Sequence, residues 1–101
     1  MIIYNVTISI NPKLENEILT WLKEEHIPEV METELFESYS MFKVVENHID
    51  RHHNSYAIQY TLSSWENFDT YTEKHADALR QKTTEKYGEN LLAFRTFLER
   101  M

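Results

Sequence analysis

The sequence predicts an α+β fold of order βαββαβ, a four-stranded antiparallel sheet with both helices on one face. Three observations predict it. Stretches of alternating apolar and polar residues mark strands. Two longer stretches with helical spacing and capping residues separate them. Only a short polar segment joins the middle pair of strands, which suits a hairpin and no crossover.

Each element has its own reason. Ile2, Tyr4, Val6, Ile8 and Ile10 alternate with Ile3, Asn5, Thr7 and Ser9, so the first strand has one apolar face. Asn11-Pro12 then opens a helix, Asn as cap and Pro in the first turn. Leu14, Ile18, Leu22 and His26 recur every four residues and form one row along that helix. The helix runs to about Ile27. Pro28 lacks an N–H and clashes with the Glu24 carbonyl, so it kinks or ends the helix, with a short continuation through Val30 and Met31 allowed.

Phe36 to Asn47 is the second strand, and the polar stretch His48 to Asn54 the hairpin loop. Tyr56, Ile58, Tyr60 and Leu62 form the apolar face of a third strand. Ser63 and Glu66 read as a capping box for the second helix, whose inner side carries Trp65, Phe68, Tyr71, Thr72, His75, Leu79 and Thr83. Gly88, the only glycine, supplies the left-handed cap. The last strand, Leu91 to Leu98, is apolar on both faces: Leu92, Phe94 and Leu98 on one, Leu91, Ala93 and Phe97 on the other. This is the ferredoxin-like arrangement. Since helices cover one face only, the bare face still carries apolar groups on the last strand. That predicts a homodimer closing sheet against sheet.

Composition bounds the function. The 101 residues suit one domain, residues 1–101. At 42% hydrophobic and 13% aromatic the chain can build a core. A net charge of −7 argues against nucleic acid, which needs clustered Lys and Arg. No apolar run is long enough to span a membrane. The alternating start is unlike a signal peptide, so a cytoplasmic protein is expected. With no cysteine there is neither disulfide nor thiol chemistry, and one glycine leaves no phosphate loop. No signature of flavin, haem, nucleotide or metal appears, so no cofactor is expected.

His26 is the most informative polar residue. It ends an otherwise aliphatic row, so a titratable ring points the same way as the core. It is either a packed structural histidine or a base or ligand anchor in a pocket. Tyr4 and Tyr60 lie on the inward faces of the central strands and would line such a pocket with it; otherwise they are core aromatics. His75, between Tyr71 and Leu79, is a weaker candidate of the same kind. His48, His52 and His53 flank the hairpin tip without a carboxylate or thiol to complete a metal site, and read as a solvated loop. Arg80 and Arg95 either bind an anion through their planar forks or form ion pairs, at the surface and at a barrel or dimer interface respectively. Glu24-Glu25 is a solvated face.

The blocks Trp21…Glu25-His26-Ile27-Pro28-Glu29-Val30, Tyr56…Gln59-Tyr60-Thr61, Leu79-Arg80-Gln81 and Ala93-Phe94-Arg95-Thr96…Leu98-Glu99 resemble, in order and spacing, a family of uncharacterised bacterial proteins of about this length, described as a domain of unknown function. More widely, the fold order and the Trp…Glu-His-x-Pro helix end resemble dimeric α+β barrel proteins, among them antibiotic-biosynthesis-type monooxygenases and ethyl-tert-butyl-ether-degradation-type proteins. The resemblance implies a pocket for His26 between helices and sheet, and no particular substrate. Two function classes remain open. One is a dimer that binds a small apolar or anionic molecule near His26, with or without cofactor-free catalysis. The other is a non-catalytic dimeric regulatory or structural module with structural histidines.

Overall fold

The computed structural model describes residues 1–45 and 54–101. Strand β1 (Ile2–Ile10) holds the middle of the sheet because both of its edges are paired. β3 (Asn54–Leu62) lies on one side and β4 (Leu91–Glu99) on the other, with β2 (Ser38–Lys43) outside β3. Every neighbour is antiparallel. The fold is therefore the α+β, ferredoxin-like one. β2 is shorter than the alternation suggested, and the loop histidines His48, His52 and His53 lie outside the described residues.

Register decides which side chains share a face. Tyr4 sits opposite Tyr60 and Phe97, Val6 opposite Ile58 and Arg95, and Ile8 opposite Tyr56 and Ala93. Both helices cover this face, and the core lies between. The two-sided apolar pattern of β4 is resolved by the same pairing. Leu91, Ala93, Arg95 and Phe97 turn toward the helices, while Leu92, Phe94 and Leu98 lie on the bare face. Phe94 is 63% exposed there. Phe97 is 42% exposed, but its ring meets Phe68 at 4.8 Å and Trp65 at 4.9 Å.

The first helix enters as expected, with the Asn11 side chain accepting from the Lys13 N–H and Pro12 in the opening turn. It does not end at Pro28. Residues Glu15–Trp21 are α-helical, Leu22–His26 form one wide π turn, and Ile27–Glu32 are α-helical again. In the wide turn the Ile27 N–H bonds Leu22 O, five residues back. The extra residue opens the turn, and Pro28 falls in the first turn of the resumed helix, where a missing N–H is harmless. The helix stops at Glu34, whose positive φ of 63° turns the chain toward β2.

The second helix carries the same device: Trp65–Tyr71, a wide turn Thr72–Ala76, then Asp77–Tyr87. Its cap lies one residue later than the capping box suggested. The Ser64 hydroxyl accepts from the Asn67 N–H, and the Asn67 amide donates to Ser63, so Glu66 takes no part in the cap. Thr72, expected on the inner side, is exposed because the wide turn rotates the helix past it. Gly88 has φ +53° and ψ −127°. The positive φ was expected, but this ψ lies outside the left-handed helical well, in a region only glycine enters without strain.

At the opposite end from the second helix's cap, Glu15 pins the first helix to β3. Its carboxylate accepts from Tyr56 Oη at 2.6 Å and from Asn54 Nδ2 at 2.9 Å.

Candidate functional site

The wide turn in the first helix is what aims His26. In an ordinary α-helix the core row would pass from Leu22 to His26. Here it passes from Leu22 to Ile27, five residues on, and Ile27 is only 1% exposed. His26 is displaced to the flank of the row and half-buried. Its ring stacks on Trp21, centroids 5.1 Å apart and planes 24° apart, and Trp21 in turn meets Tyr87 edge-on at 5.3 Å. In the second helix the core likewise steps five residues, from Tyr71 to Ala76. His75 is left beside it, stacked near Tyr71 at 6.5 Å.

Between the wide turn, the C-terminal half of the second helix and the sheet lies a cavity of about 490 Å³. That is within the range of roughly 300–1,000 Å³ usual for small-molecule sites. The first helix contributes Leu22, His26 and Val30; the second contributes Tyr71, Leu79, Arg80, Thr83 and Thr84. The floor comes from the inward row of the sheet, Tyr4, Val6, Ile8, Ile58 and Tyr60, with Leu91, Ala93 and Arg95 at its β4 side. Glu89 also lines the wall. Room for the cavity does not come from a helix ending at Pro28: the helix continues, and Val30 from the continuation forms part of the wall.

About half of the lining residues are aliphatic, and the rest bring polar groups to the cavity. Arg80 Nη2 donates to Tyr4 Oη at 3.3 Å. Burial holds the Tyr60 phenol far above its ordinary range, with Tyr71, Tyr4 and Tyr39 nearby adding to it. The Tyr71 phenol is pushed up to about 12, by burial first and by Tyr4, while Arg80 and Arg95 pull the other way. The His26 ring is held below its usual value, chiefly by burial and also by Arg95, against the opposing pull of Glu29. It is therefore neutral near pH 7 and able to accept a proton or a hydrogen bond. Among the described residues no three His, Asp or Glu converge as a metal site.

The structure brings His26, Tyr4 and Tyr60 to one cavity, and leaves His75 outside it against Tyr71. Tyr71, read from the sequence only as a helix-packing residue, lines the same space, as do Thr83 and Thr84. Arg80 and Arg95 were read as anion binders or ion-pair partners. Neither pairs with a carboxylate among the described residues, and both line the cavity. A sequence signal for Arg95 exists: it interrupts the otherwise apolar row Leu91, Ala93, Phe97. Thr83 already falls on the inner side of the second helix by its spacing, whereas no comparable signal marks its neighbour Thr84.

Three solved structures share the fold over nearly the whole chain. An ethyl tert-butyl ether degradation (EthD) family protein from Bacillus halodurans matches with a TM-score of 0.70 and 11% identity, covering 100% of both chains. HapK from Hahella chejuensis matches with a TM-score of 0.71 and 9% identity, covering 100% of this chain and 93% of its own. An antibiotic biosynthesis monooxygenase described from Bacillus cereus matches with a TM-score of 0.57 and 12% identity, covering 99% and 94%. At such identities the likeness is one of fold. No curated protein matches the chain in sequence. A family model described as "Domain of unknown function (DUF4286)" matches residues 1–101.

Proposed function

The chain belongs to the DUF4286 family, and from that premise and the cavity beside His26 we propose that it binds a small, apolar or anionic molecule between its helices and its sheet. The observation that carries this reading is the cavity itself. It has about 490 Å³ of space, walls that are about half aliphatic, and His26, Tyr4, Tyr60 and Tyr71 on its lining. A core with no ligand to hold gains nothing from such a space, since packing density and dispersion favour filling it.

A second reading is favoured by one contact. His26 stacks on Trp21, which is what a structural histidine in a non-catalytic module would do. The two readings differ in what His26→Ala does: loss of ligand binding with the fold kept, or loss of stability.

The assembly belongs to the same proposal. The bare face presents Phe42, Leu92, Phe94 and Leu98, with no element over them among the described residues. A second copy would use the same patch twice and close on itself.

The cavity is tested with N-phenyl-1-naphthylamine, a neutral dye that brightens in apolar surroundings. The parent protein should bind it saturably. Ala93→Trp, which drives an indole into the cavity from β4, should abolish binding while the protein still melts cooperatively. Binding untouched by Ala93→Trp would place the dye elsewhere and defeat the proposal.

A further inference from the structure

Acidic residues outnumber basic ones in this chain by 17 to 10. Carboxylates are therefore plentiful, and an arginine without one has not gone short for lack of supply. Arg80 and Arg95 nonetheless have no carboxylate partner among the described residues, and both line the same cavity. They reach it from opposite walls. Arg80 projects from the second helix; Arg95 stands on the helix-facing row of β4, across from Val6. Arg80 reaches Tyr4, which is the next inward residue of β1 from Val6, the partner of Arg95, so both side chains meet the same part of the floor.

The other polar groups there are mostly donors too. Tyr4 Oη accepts from Arg80, which leaves its own proton to be given away. The hydroxyls of Tyr60 and Tyr71 have no hydrogen-bond partner among the described residues, and their raised pKa values keep them protonated. Acceptors are fewer: the Thr83 and Thr84 hydroxyls, neutral His26 and the Glu89 carboxylate. A wall this rich in donors wants an acceptor-rich partner. Glu89 works against a second negative charge close by.

Resting on the reading that the cavity holds a small molecule, we infer that its ligand is an amphipathic monoanion. Its body is apolar and ring-bearing, and its single carboxylate or similar oxyanion is held between Arg80 and Arg95. The planar fork of each arginine suits two-point contact with such a group. The body would lie among Leu22, Val30, Ile58 and Leu79, with the tyrosine rings offering flat faces to stack on.

Calorimetry with 2-naphthoate and 2-naphthamide at pH 7.5 tests this, since the pair differs in charge at nearly constant shape. The acid should bind at least about tenfold more tightly than the amide, from charge-assisted hydrogen bonds. Arg80→Met and Arg95→Met should each weaken naphthoate by about tenfold and move naphthamide less than about twofold. The double replacement should bring the two compounds to the same affinity. Arg95 sits exposed on an edge strand, so Arg95→Met carries the test alone if Arg80→Met fails to fold. Equal affinity of the parent for both compounds overturns this inference and leaves the cavity reading standing. So does a preference for the acid that survives both replacements. Binding of neither compound defeats both.

Discussion

Removing Glu24 should be severe with Pro28 present and mild without it. Glu24 is an exposed residue inside the wide turn, so its side chain contributes little. Deleting it makes Ile27 the fourth residue after Leu22 instead of the fifth. An ordinary α-turn then keeps both on the core face, so the deletion does not by itself empty the core. What it removes is the slack that Pro28 uses. With a four-residue repeat, the proline ring meets the carbonyl four positions back, and that carbonyl also loses its donor. Such a proline costs about 3 kcal/mol or more. In a Pro28→Ala background this cost vanishes, while any shift of the following helix remains in both. The cycle of parent, deletion, Pro28→Ala and the combination should therefore show a coupling of about 3 kcal/mol. Pro28→Ala alone should change stability by less than about 1 kcal/mol, because Pro28 already sits in a first turn. Urea unfolding followed by Trp fluorescence and circular dichroism measures all four. Equal cost of the deletion in both backgrounds would refute the reasoning, as would a gain near 3 kcal/mol from Pro28→Ala alone. The wide turn Thr72–Ala76 has no proline after it, so proline is not needed to make such a turn; the claim is that this one accommodates Pro28.

The remaining predictions concern charge, acid and assembly. Tyr56→Phe should cost about 1 kcal/mol at pH 7 through loss of the bond to Glu15, the modest value reflecting a carboxylate near solvent. The Tyr56 bond is the main reason Glu15 titrates below its ordinary value of 4.5. Its contribution is present above that pH and fades as pH falls through the folded value, so parent and variant melting temperatures should converge in acid. His26 is a base held below its ordinary 6.5, so below that pH the unfolded chain binds the extra proton and stability falls until the folded value is passed. His26→Ala should flatten this slope, and a slope unchanged by the substitution would show that His26 is not its source. Phe94→Lys should convert a dimer to monomers with the fold intact, whereas Phe97→Lys should lower stability by disturbing the contacts to Phe68 and Trp65. Light scattering at micromolar protein that gives a monomer for the parent would remove the assembly proposal.

Strand periodicity, caps and chain order were enough to give the fold, because each depends on residues close in sequence. The alternation of β1 and β3 names their inward rows without reference to a partner. On β4 the same pattern is apolar on both parities, so the sequence leaves its facing open. Only the register, Tyr4 against Phe97 and Val6 against Arg95, turns Phe97 inward and Phe94 out. That pairing is a contact across about ninety residues, invisible to local pattern. The same limit applies to His26. Four-residue spacing puts it in line with Leu14, Ile18 and Leu22, whereas the wide turn moves it to the flank of that row. A wide turn differs from an ordinary one by a single backbone hydrogen bond, and the packing of Ile27 and Ala76 against the sheet decides where it falls. Because that choice belongs to tertiary packing, the sequence alone shows the histidine and the arginines, while the structure decides that Arg80, Arg95 and His26 line one cavity.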